Sequence, residues 1–345
     1  MVLGALARRH RAAVAASFED AAPLAPRVPS IRAYPHRVTA NGPDLQTLLD
    51  EITLAARPFA ARGRVADYIP ALASIDGARL GMALATVEGE LLGSGDFETR
   101  FSVQSISKAF ALALVLAKDG DALWRRVGRE PSGNPFNSLV QLEVEHGVPR
   151  NPFINAGALV VVDRMLAHTG DACGTLLDLL RRESGAADID VDLVVARSEA
   201  THGHRNAALA HFMASYANLE SSVVTVLDHY VRHCAIAMSC SELARAGLFL
   251  ARHGVRADGT HLLTRSEAKR VNSILLTCGT YDAAGDFAYR VGLPGKSGVG
   301  GGILAVIPGR GCLVVWGPAL DKSGNSVAGV EALDRFTTST GWSVF

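Results

Sequence analysis

The order of strand-like and helix-like segments limits the fold more than any other feature of this chain. Residues 81–87 and 91–95 have the pattern of a strand hairpin, and residues 302–307 and 312–316 have it again near the other end. Between about residues 113 and 268 the apolar spacing is mainly helical. Strands at both ends with helices between them predict an α/β (α+β) fold, in which an antiparallel sheet flanked by helices carries an inserted all-helical domain.

Other segments extend this prediction along the chain. Helical spacing is present at residues 45–56, 68–75, 171–181, 221–237, 240–253 and 325–338. Residues 287–293 have a strand-like pattern.

The first 44 residues differ from the rest, with several prolines and only two acidic side chains before residue 44. We expect residues 1–44 to be a mobile extension and residues 45–345 to form the functional domain. Its α/β part is expected at about 45–112 and 269–345, and its helical part at about 113–268.

Charge and cysteine usage exclude several classes of function. The chain has 34 basic and 34 acidic side chains, so no overall field indicates nucleic acid or a membrane surface as a partner. The longest apolar stretches are too short to cross a bilayer. The five cysteines are widely spaced, which predicts buried thiols in a reduced, cytoplasmic protein rather than a disulfide framework.

A Ser-x-x-Lys spacing occurs twice in the chain. Ser105 and Lys108 begin an apolar helical run, and on a helix their hydroxyl and amine share one face. A lysine in a partly dry pocket can lose its charge and take the proton of a serine, as in Ser-x-x-Lys acyl-transfer enzymes. The second pair, Ser266 and Lys269, has arginine neighbours and is explained by a solvated helix start. The sequence context therefore favours Ser105 as a nucleophile and Lys108 as its base.

A Lys-Ser-Gly sequence, the expected companion of Ser-x-x-Lys on the far wall of such a pocket, also occurs twice. Residues 296–298 precede a strand-like segment and run into further glycines, whereas residues 322–324 lie in a polar turn. Glycines let backbone approach a ligand closely. From the residues alone two explanations of 296–301 stay open: a turn between strands, or a turn that donates an N–H to an oxyanion hole.

The remaining candidates for chemistry are histidines and one tyrosine. The histidine pairs at 202/204 and 229/233 have no cysteine or carboxylate cluster to complete four-coordination, so we expect no metal. Tyr281 comes shortly before Lys296 and is a candidate for a proton relay, although a tyrosine at the edge of the core explains it equally well.

Long stretches of the chain resemble the serine-dependent glutaminase family, which shares the fold of β-lactamases and D,D-peptidases (penicillin-binding proteins). The resemblance covers about residue 45 to the C-terminus. It is carried by ADYIPALA (66–73), FSVQSISKAF (101–110), EPSGNPFNS (130–138), NPFINAGAL (151–159), SEATHGHRNAALA (198–210), VLDHYVRHCAI (226–236), TCGTYDAAGDFAYRVGLPGKSGVGGGILAVIPG (277–309) and VVWGPALDKSGNSVAGV (314–330). It implies hydrolysis of L-glutamine to L-glutamate and ammonia through an acyl-enzyme on Ser105, without a cofactor.

The resemblance also implies a role for each catalytic group. Ser105 attacks the side-chain amide, Lys108 acts as base, and Tyr281 passes a proton to the departing ammonia. Backbone N–H groups of Ser105 and Val299 bind the oxyanion. Lys296 adds a positive charge, which favours a neutral Lys108 and a more acidic Tyr281.

A second set of residues is implied in binding glutamine. Glu199 pairs with the α-ammonium group, helped by Gln104. The remaining polar atoms of glutamine, including the α-carboxylate, are assigned to Tyr68, Asn155, Asn206 and Tyr230. Without the resemblance, a loop residue that caps the next helix is the simpler explanation of Asn155.

Two other functions stay open from the sequence. The first is another Ser-x-x-Lys hydrolase of the β-lactamase or D,D-peptidase kind, although the chain has neither a Glu-x-x-Leu-Asn nor a Ser-Asp-Asn element. The second is a catalytically inactive sensor. For the glutaminase the resemblance implies a homo-oligomer, either a tetramer or a dimer.

Overall fold

The computed structural model describes residues 44–133 and 137–345, so the predicted extension lies outside the described residues except for Asp44. The described strands are β1 (Gly81–Thr86), β2 (Leu91–Gly95), β3 (Phe101–Ser102), β4 (Asp190–Val191), β5 (Ile236–Met238), β6 (Gly295–Ser297), β7 (Gly302–Ile307) and β8 (Gly311–Trp316). The described helices are α1 (Leu45–Ala56), α2 (Ser107–Asp119), α3 (Leu139–Val144), α4 (Asn155–Thr169), α5 (Ala172–Ser184), α6 (Leu193–His202), α7 (His204–Ser215), α8 (Val223–Cys234), α9 (Cys240–Ala251), α10 (Arg265–Cys278), α11 (Ala284–Arg290) and α12 (Val327–Thr340).

A five-stranded antiparallel sheet forms the α/β layer, with the strand order β2-β1-β8-β7-β6. The hairpins β1–β2 and β7–β8 lie where the sequence predicts them. Strands from the two ends of the chain pair directly along β1 and β8, with Met82 opposite Val315 and Leu84 opposite Leu313. The helical segments between β2 and β6 are therefore an insertion into one sheet.

Both faces of this sheet are buried because its strands are apolar at successive positions. Met82, Leu84 and Ile303 point toward a core that includes Leu49 of α1 and Phe336 of α12. Their alternate neighbours along the strands, such as Val306 and Val314, point to the other core, which includes Phe249 of α9. This is the period-two alternation of strand side chains. The sheet is thus covered by α1 and α12 on one side and by α9 and the helical part on the other.

A second, three-stranded sheet has the order β3-β5-β4, and two of its strands, β4 and β5, lie within the region predicted to be helical. Phe101 pairs with Met238, and Val191 pairs with Ile236. The predicted helix at 221–237 is therefore too long at its C-terminus. It ends at Cys234, because the apolar residues that follow form the central strand of this small sheet.

Two further predictions were wrong in local structure. Residues 68–75 form successive turns with i→i+3 hydrogen bonds rather than a helix, and Pro70 provides no N–H for helical bonding. Residues 287–293 were predicted as a strand, but Phe287 belongs to α11. Phe287 and Val291 lie four residues apart and both enter the core, which is the spacing of a helix face. A short apolar run does not distinguish the two states by itself.

Across residues 44–133 and 137–345, no helix combines the length and the apolar character that a membrane span requires.

Candidate active site

The segment that carries Ser105 is held between the two sheets. It leaves β3, passes through a 3₁₀ turn at Gln104–Ile106 and continues into α2. The N–H of Val103 donates to the carbonyl oxygen of Ile236 at 2.9 Å, which fixes the turn to the small sheet. Gln104 has a φ of 50°, a strained backbone for a residue other than glycine and one found disproportionately at functional sites. Ser105 is only 7% exposed.

The glycine-rich turn between β6 and β7 packs directly against this segment. A Cβ atom at Gly298 would lie 2.5 Å from the carbonyl oxygen of Val103, and one at Gly300 would lie 2.2 Å from that of Ser102. Both contacts are closer than Cβ atoms allow. These glycines therefore permit close approach of two backbones, and Val299 between them lies on the same cavity as Ser105.

One cavity of ≈ 110 Å³ brings together all nine residues predicted to bind substrate. They come from separate parts of the chain: Tyr68, Gln104, Ser105, Asn155, Glu199, Asn206, Tyr230, Tyr281 and Val299. Asn155 and Asn206 touch each other, with Nδ2 of Asn155 donating to Oδ1 of Asn206 at 2.9 Å. The arrangement offers a hydroxyl nucleophile, a carboxylate and several amides to one small molecule. The individual roles stay predictions.

Lys108 is buried, 4% exposed, and is not among the residues that line this cavity. Its Nζ donates to Oδ1 of Asn155 at 2.7 Å and to the carbonyl oxygen of Phe153 at 3.3 Å, and it lies 5.6 Å from the centre of the Tyr230 ring. Burial lowers the pKa of Lys108 to about 8. The neutral fraction of this amine therefore increases as the pH rises through about 8.

The amine of Lys296 lies over the aromatic ring of Tyr281. Ser105 and Tyr281 both line the cavity, and the Tyr281 hydroxyl donates to the carbonyl oxygen of Ser297 at 3.3 Å. Tyr281 has a φ of 61°, a second strained position at the site. Lys296 is fully buried, 4.2 Å from the Tyr281 ring centre, and its Nζ donates to the carbonyl oxygens of Gly279 and Ser297, each at 2.7 Å.

The electrostatic effect predicted for Lys296 on Tyr281 stays a prediction. Burial, reinforced by the neighbouring Lys108, lowers the pKa of Lys296 well below its ordinary value. Burial raises the pKa of Tyr281, although the hydrogen bond with Ser105 opposes that rise. Desolvation of the Lys296 amine acts against the charge that the prediction assigns to it. Tyr281 is therefore a protonated phenol that can donate.

Glu199 is a buried carboxylate on the cavity wall. Nε2 of Gln104 donates to its Oε2 at 3.3 Å and also contacts Oγ of Ser102 at 3.0 Å. Burial raises the pKa of Glu199 to about 7, and the Gln104 hydrogen bond and the charge of Lys108 oppose this rise. Within the described ranges no lysine, arginine or histidine forms an ion pair with Glu199. A buried carboxylate without a cationic partner is suited to binding an ammonium group.

The two competing sequence matches lie away from the cavity. Ser266 and Lys269 are exposed in the first turn of α10, which begins with Thr264 and Glu267 in a capping box. The Lys-Ser-Gly sequence at 322–324 lies in an exposed turn after β8.

Six residues that line the cavity were not predicted: Ile69, Asn137, His202, Gly203, Arg205 and Cys234. Arg205 Nη1 donates to Oδ1 of Asn137 at 3.3 Å, which joins α7 to the loop before α3. Cys234 stands four residues after Tyr230 on α8. That i,i+4 spacing places both side chains on one helix face and could have indicated Cys234 from the sequence.

The described residues contain no group of three or more histidine, cysteine or acidic side chains that could hold a metal ion. His229 accepts a hydrogen bond from the backbone N–H of Cys173 at 3.2 Å, and His233 is buried. Burial lowers the pKa of His233 to about 4.

Comparisons with known proteins agree with this arrangement. The family model described as Glutaminase matches residues 63–345. The chain belongs to the glutaminase family. The glutaminase of Streptomyces coelicolor is 64% identical over 307 residues, covering 89% of this chain and 99% of that protein. The glutaminase of Paraburkholderia phytofirmans is 56% identical over 300 residues, covering 87% and 99%.

Solved glutaminase structures share the fold. The Bacillus subtilis glutaminase in its covalent complex with 5-oxo-L-norleucine superposes with a TM-score of 0.79 at 31% identity, covering 88% of this chain and 100% of that one. The predicted fold class is confirmed: this glutaminase-family enzyme has the β-lactamase-like fold, with an antiparallel sheet and an inserted helical part.

Proposed function

We propose that this enzyme hydrolyses L-glutamine to L-glutamate and ammonia through a γ-glutamyl ester of Ser105. The cavity carries the proposal. It joins the Ser105 hydroxyl to a buried carboxylate without a cationic partner, in a chain of the glutaminase family. The related Bacillus subtilis enzyme forms a covalent complex by reaction with 6-diazo-5-oxo-L-norleucine, and this supports a covalent route here.

The two ends of glutamine need different partners in a closed pocket. In the proposed complex Glu199 binds the α-ammonium group and accepts a hydrogen bond from Gln104. Tyr68, Asn155, Asn206 and Tyr230 hold the α-carboxylate and the remaining polar atoms. The side-chain amide then reaches Ser105.

The proposed chemistry assigns one role to each of the groups around Ser105. Lys108 in its neutral form takes the hydroxyl proton as Oγ attacks the amide carbon, and the N–H groups of Ser105 and Val299 stabilise the oxyanion. Tyr281 donates a proton to the nitrogen, the carbon–nitrogen bond breaks, and ammonia leaves. Lys108 returns a proton to Tyr281. Water then attacks the ester carbon, the same groups act in the opposite direction, and L-glutamate leaves as the Ser105 hydroxyl is restored.

Three further proposals concern the whole protein. Residues 45–345 form the catalytic domain, to which residues 1–44 are an extension. The enzyme works in the cytoplasm, and it is a homo-oligomer, either a dimer or a tetramer. The five cysteines support a reducing compartment, since all of them lie within the described residues as buried, free thiols. Light scattering of the full chain tests the oligomeric state.

Removal of the nucleophile tests the function. Ser105→Ala is expected to abolish ammonia release from L-glutamine while calorimetry still detects glutamine binding. Ser266→Ala and Lys269→Ala are matched controls and should stay within about threefold of the wild-type rate, because a solvated pair contributes little. Substantial turnover by Ser105→Ala, or hydrolysis of nitrocefin in place of glutamine, would refute the proposal.

A further inference from the structure

The cavity has two charged side chains at different depths, and the proposed function uses only one of them. Among the described residues that line it, Glu199 is the only acid, and Arg205 is the only lysine or arginine. Glu199 is buried, whereas Arg205, in the first turn of α7, is exposed. The cavity therefore has its carboxylate in the buried part and its guanidinium where it meets solvent.

The guanidinium of Arg205 is not paired with an acid. No described aspartate or glutamate lies within ion-pair distance of it. Its Nη1 donates to Oδ1 of Asn137 at 3.3 Å, which is its one hydrogen bond to a described residue. By contrast, Arg126, Arg164 and Arg290 each pair with two carboxylates. A guanidinium has five N–H donors, so most of those of Arg205 are available to a ligand.

His202 also lines the cavity, but it does not provide a permanent positive charge. Its Nδ1 lies 2.8 Å from the carbonyl oxygen of Ser198, so that nitrogen carries a proton, and the ring is charged only when Nε2 carries a second one. Arginine stays protonated in proteins. Arg205 is therefore the one permanent cation on the described part of the cavity wall.

A free amino acid brings an ammonium and a carboxylate group on the same carbon atom. In the proposed complex the ammonium group has an oppositely charged partner, whereas the groups assigned to the α-carboxylate and the remaining polar atoms are neutral: Tyr68, Asn155, Asn206 and Tyr230. A charge that leaves water is stabilised by an opposite charge nearby. Arg205 directly precedes Asn206 on α7, and both line the cavity, so a cation is present beside one of the neutral groups.

We propose that Arg205 is a substrate-specificity residue, whose guanidinium attracts and orients the α-carboxylate of glutamine at the solvent side of the cavity. Glu199 then binds the α-ammonium group deeper in it, so an amino acid with both charges enters with its side chain toward Ser105. The inference rests on the proposed function, because it takes glutamine as the substrate. Arg205 contacts no reacting atom in this account, so its removal should weaken binding more than chemistry.

The test compares variants of the full-length enzyme by steady-state kinetics on L-glutamine. Arg205→Gln is expected to raise KM about fivefold with kcat within about twofold, which is the size expected when a solvent-exposed charge pair is lost. Arg205→Lys keeps the charge and should stay within about twofold of the wild-type KM. Arg197→Gln is the matched control, because Arg197 is an exposed arginine on α6 that does not line the cavity. It should leave both constants unchanged.

Salt and a modified substrate separate an electrostatic role from general damage. Interactions of exposed charges weaken as salt rises. Raising NaCl to about 0.5 M should therefore increase KM about threefold in the wild type and in Arg197→Gln, but less than about 1.5-fold in Arg205→Gln. The second substrate is the α-amide of L-glutamine, which lacks the carboxylate and yields L-isoglutamine, measured by chromatography. Its kcat/KM should differ by less than about twofold between Arg205→Gln and the wild type.

Three results would overturn the inference: a KM in Arg205→Gln equal to that in Arg197→Gln, a lysine variant as weak as the glutamine variant, or an equal loss on the α-amide. If the wild type does not turn over the α-amide, the salt dependence decides, and an equal salt effect in Arg205→Gln and the wild type would overturn it. A wild type that releases no ammonia from L-glutamine would instead refute the proposed function.

Discussion

Glu199 and Lys108 are two buried titratable side chains whose charge states decide when the cavity can bind and react. Burial raises the pKa of Glu199 to about 7 and lowers that of Lys108 to about 8. Each also favours the charged form of the other, so the two titrate as a coupled pair. The proposed chemistry needs an ionised Glu199 and a neutral Lys108, and the fraction of each of these forms increases as the pH rises.

We therefore predict that kcat/KM increases from pH 6 to pH 9, with the steepest change across the pKa values near 7 and 8. In Glu199→Gln the limb near 7 should disappear, while the limb of Lys108 should remain and move to lower pH, because the charge of Glu199 no longer raises the pKa of Lys108. Initial rates of ammonia release across this range measure it. A flat profile in the wild type would contradict the proposed roles.

Gly298 provides a second test at a single position. A methyl group there would lie 2.5 Å from the carbonyl oxygen of Val103, so Gly298→Ala should push the Val299 turn away from Ser105. We expect kcat/KM to fall by at least about tenfold, since small misplacements of reacting groups are costly. Gly285→Ala on α11 is the control, because a methyl group at Gly285 meets nothing within 4 Å. Equal activity in the two variants would show that the close approach is not needed.

The sequence identified the chemical groups of the site better than their electrostatics. Context separated Ser105 from the exposed Ser266, because apolar neighbours indicate burial. The burial of Lys296, which disfavours its charge, depends on packing that no local pattern reveals. Cys234 was missed as a cavity residue, although it follows Tyr230 by four residues on α8.

Among the secondary-structure elements, the buried carboxylate of Asp163 connects α4 with Arg126 and with the loop that leads into α8. Asp163 of α4 is fully buried, and Nη2 of Arg126 donates to its Oδ2 at 2.7 Å. The backbone N–H groups of Glu220 and Ser221 donate to the same carboxylate at 3.0 and 2.7 Å. Because α4 carries Asn155 and α8 carries Tyr230, this contact holds two walls of the cavity together.

Asp163→Asn is predicted to lower the free energy of unfolding by about 3 kcal/mol at pH 7, because it breaks a buried pair. Burial alone would raise the pKa of Asp163, but the three donors outweigh it and lower the pKa overall. Because the pKa of Asp163 is lower in the folded state than in the unfolded state, its charge contributes fully to stability above the unfolded pKa near 4. That contribution is lost as the pH falls through the folded pKa. The variant should therefore lose less stability on acidification.

Urea unfolding at pH 7 and at pH 3 measures both effects. Asp121→Asn is the matched control, since Asp121 pairs with Arg270 at the surface and should change stability by less than about 1 kcal/mol. Equal losses in the two variants would contradict the structural role given to Asp163.

Elements with long periodic patterns were predictable, and short ones were not. The hairpins β1–β2 and β7–β8 and the helices α1 and α12 follow from local pattern, since each buries a face that repeats along the element. Residues 68–75 and 287–293 are brief apolar runs whose state is decided by what they pack against. The small sheet depends on pairing between Phe101 and Met238, which are far apart in sequence.

In the whole molecule, the reactive groups meet where the sheet and the inserted helices adjoin. Val299 comes from the turn between β6 and β7, and Tyr281 from the 3₁₀ turn after α10. Ser105 lies between the two sheets, and Glu199 belongs to α6. The antiparallel layer with its insertion could be predicted from the order of segments. Which side chains face the junction could be inferred only from the family resemblance, because their contacts join distant parts of the chain.

Covalent capture of the nucleophile tests the central claim most directly. The full-length enzyme would be incubated with 6-diazo-5-oxo-L-norleucine, digested and mapped by mass spectrometry, alongside Ser105→Ala and Ser266→Ala. We predict one 5-oxo-L-norleucine adduct per chain, located on Ser105, present in Ser266→Ala and absent from Ser105→Ala. An adduct on another residue, or one that persists in Ser105→Ala, would contradict the assignment of Ser105 as the nucleophile.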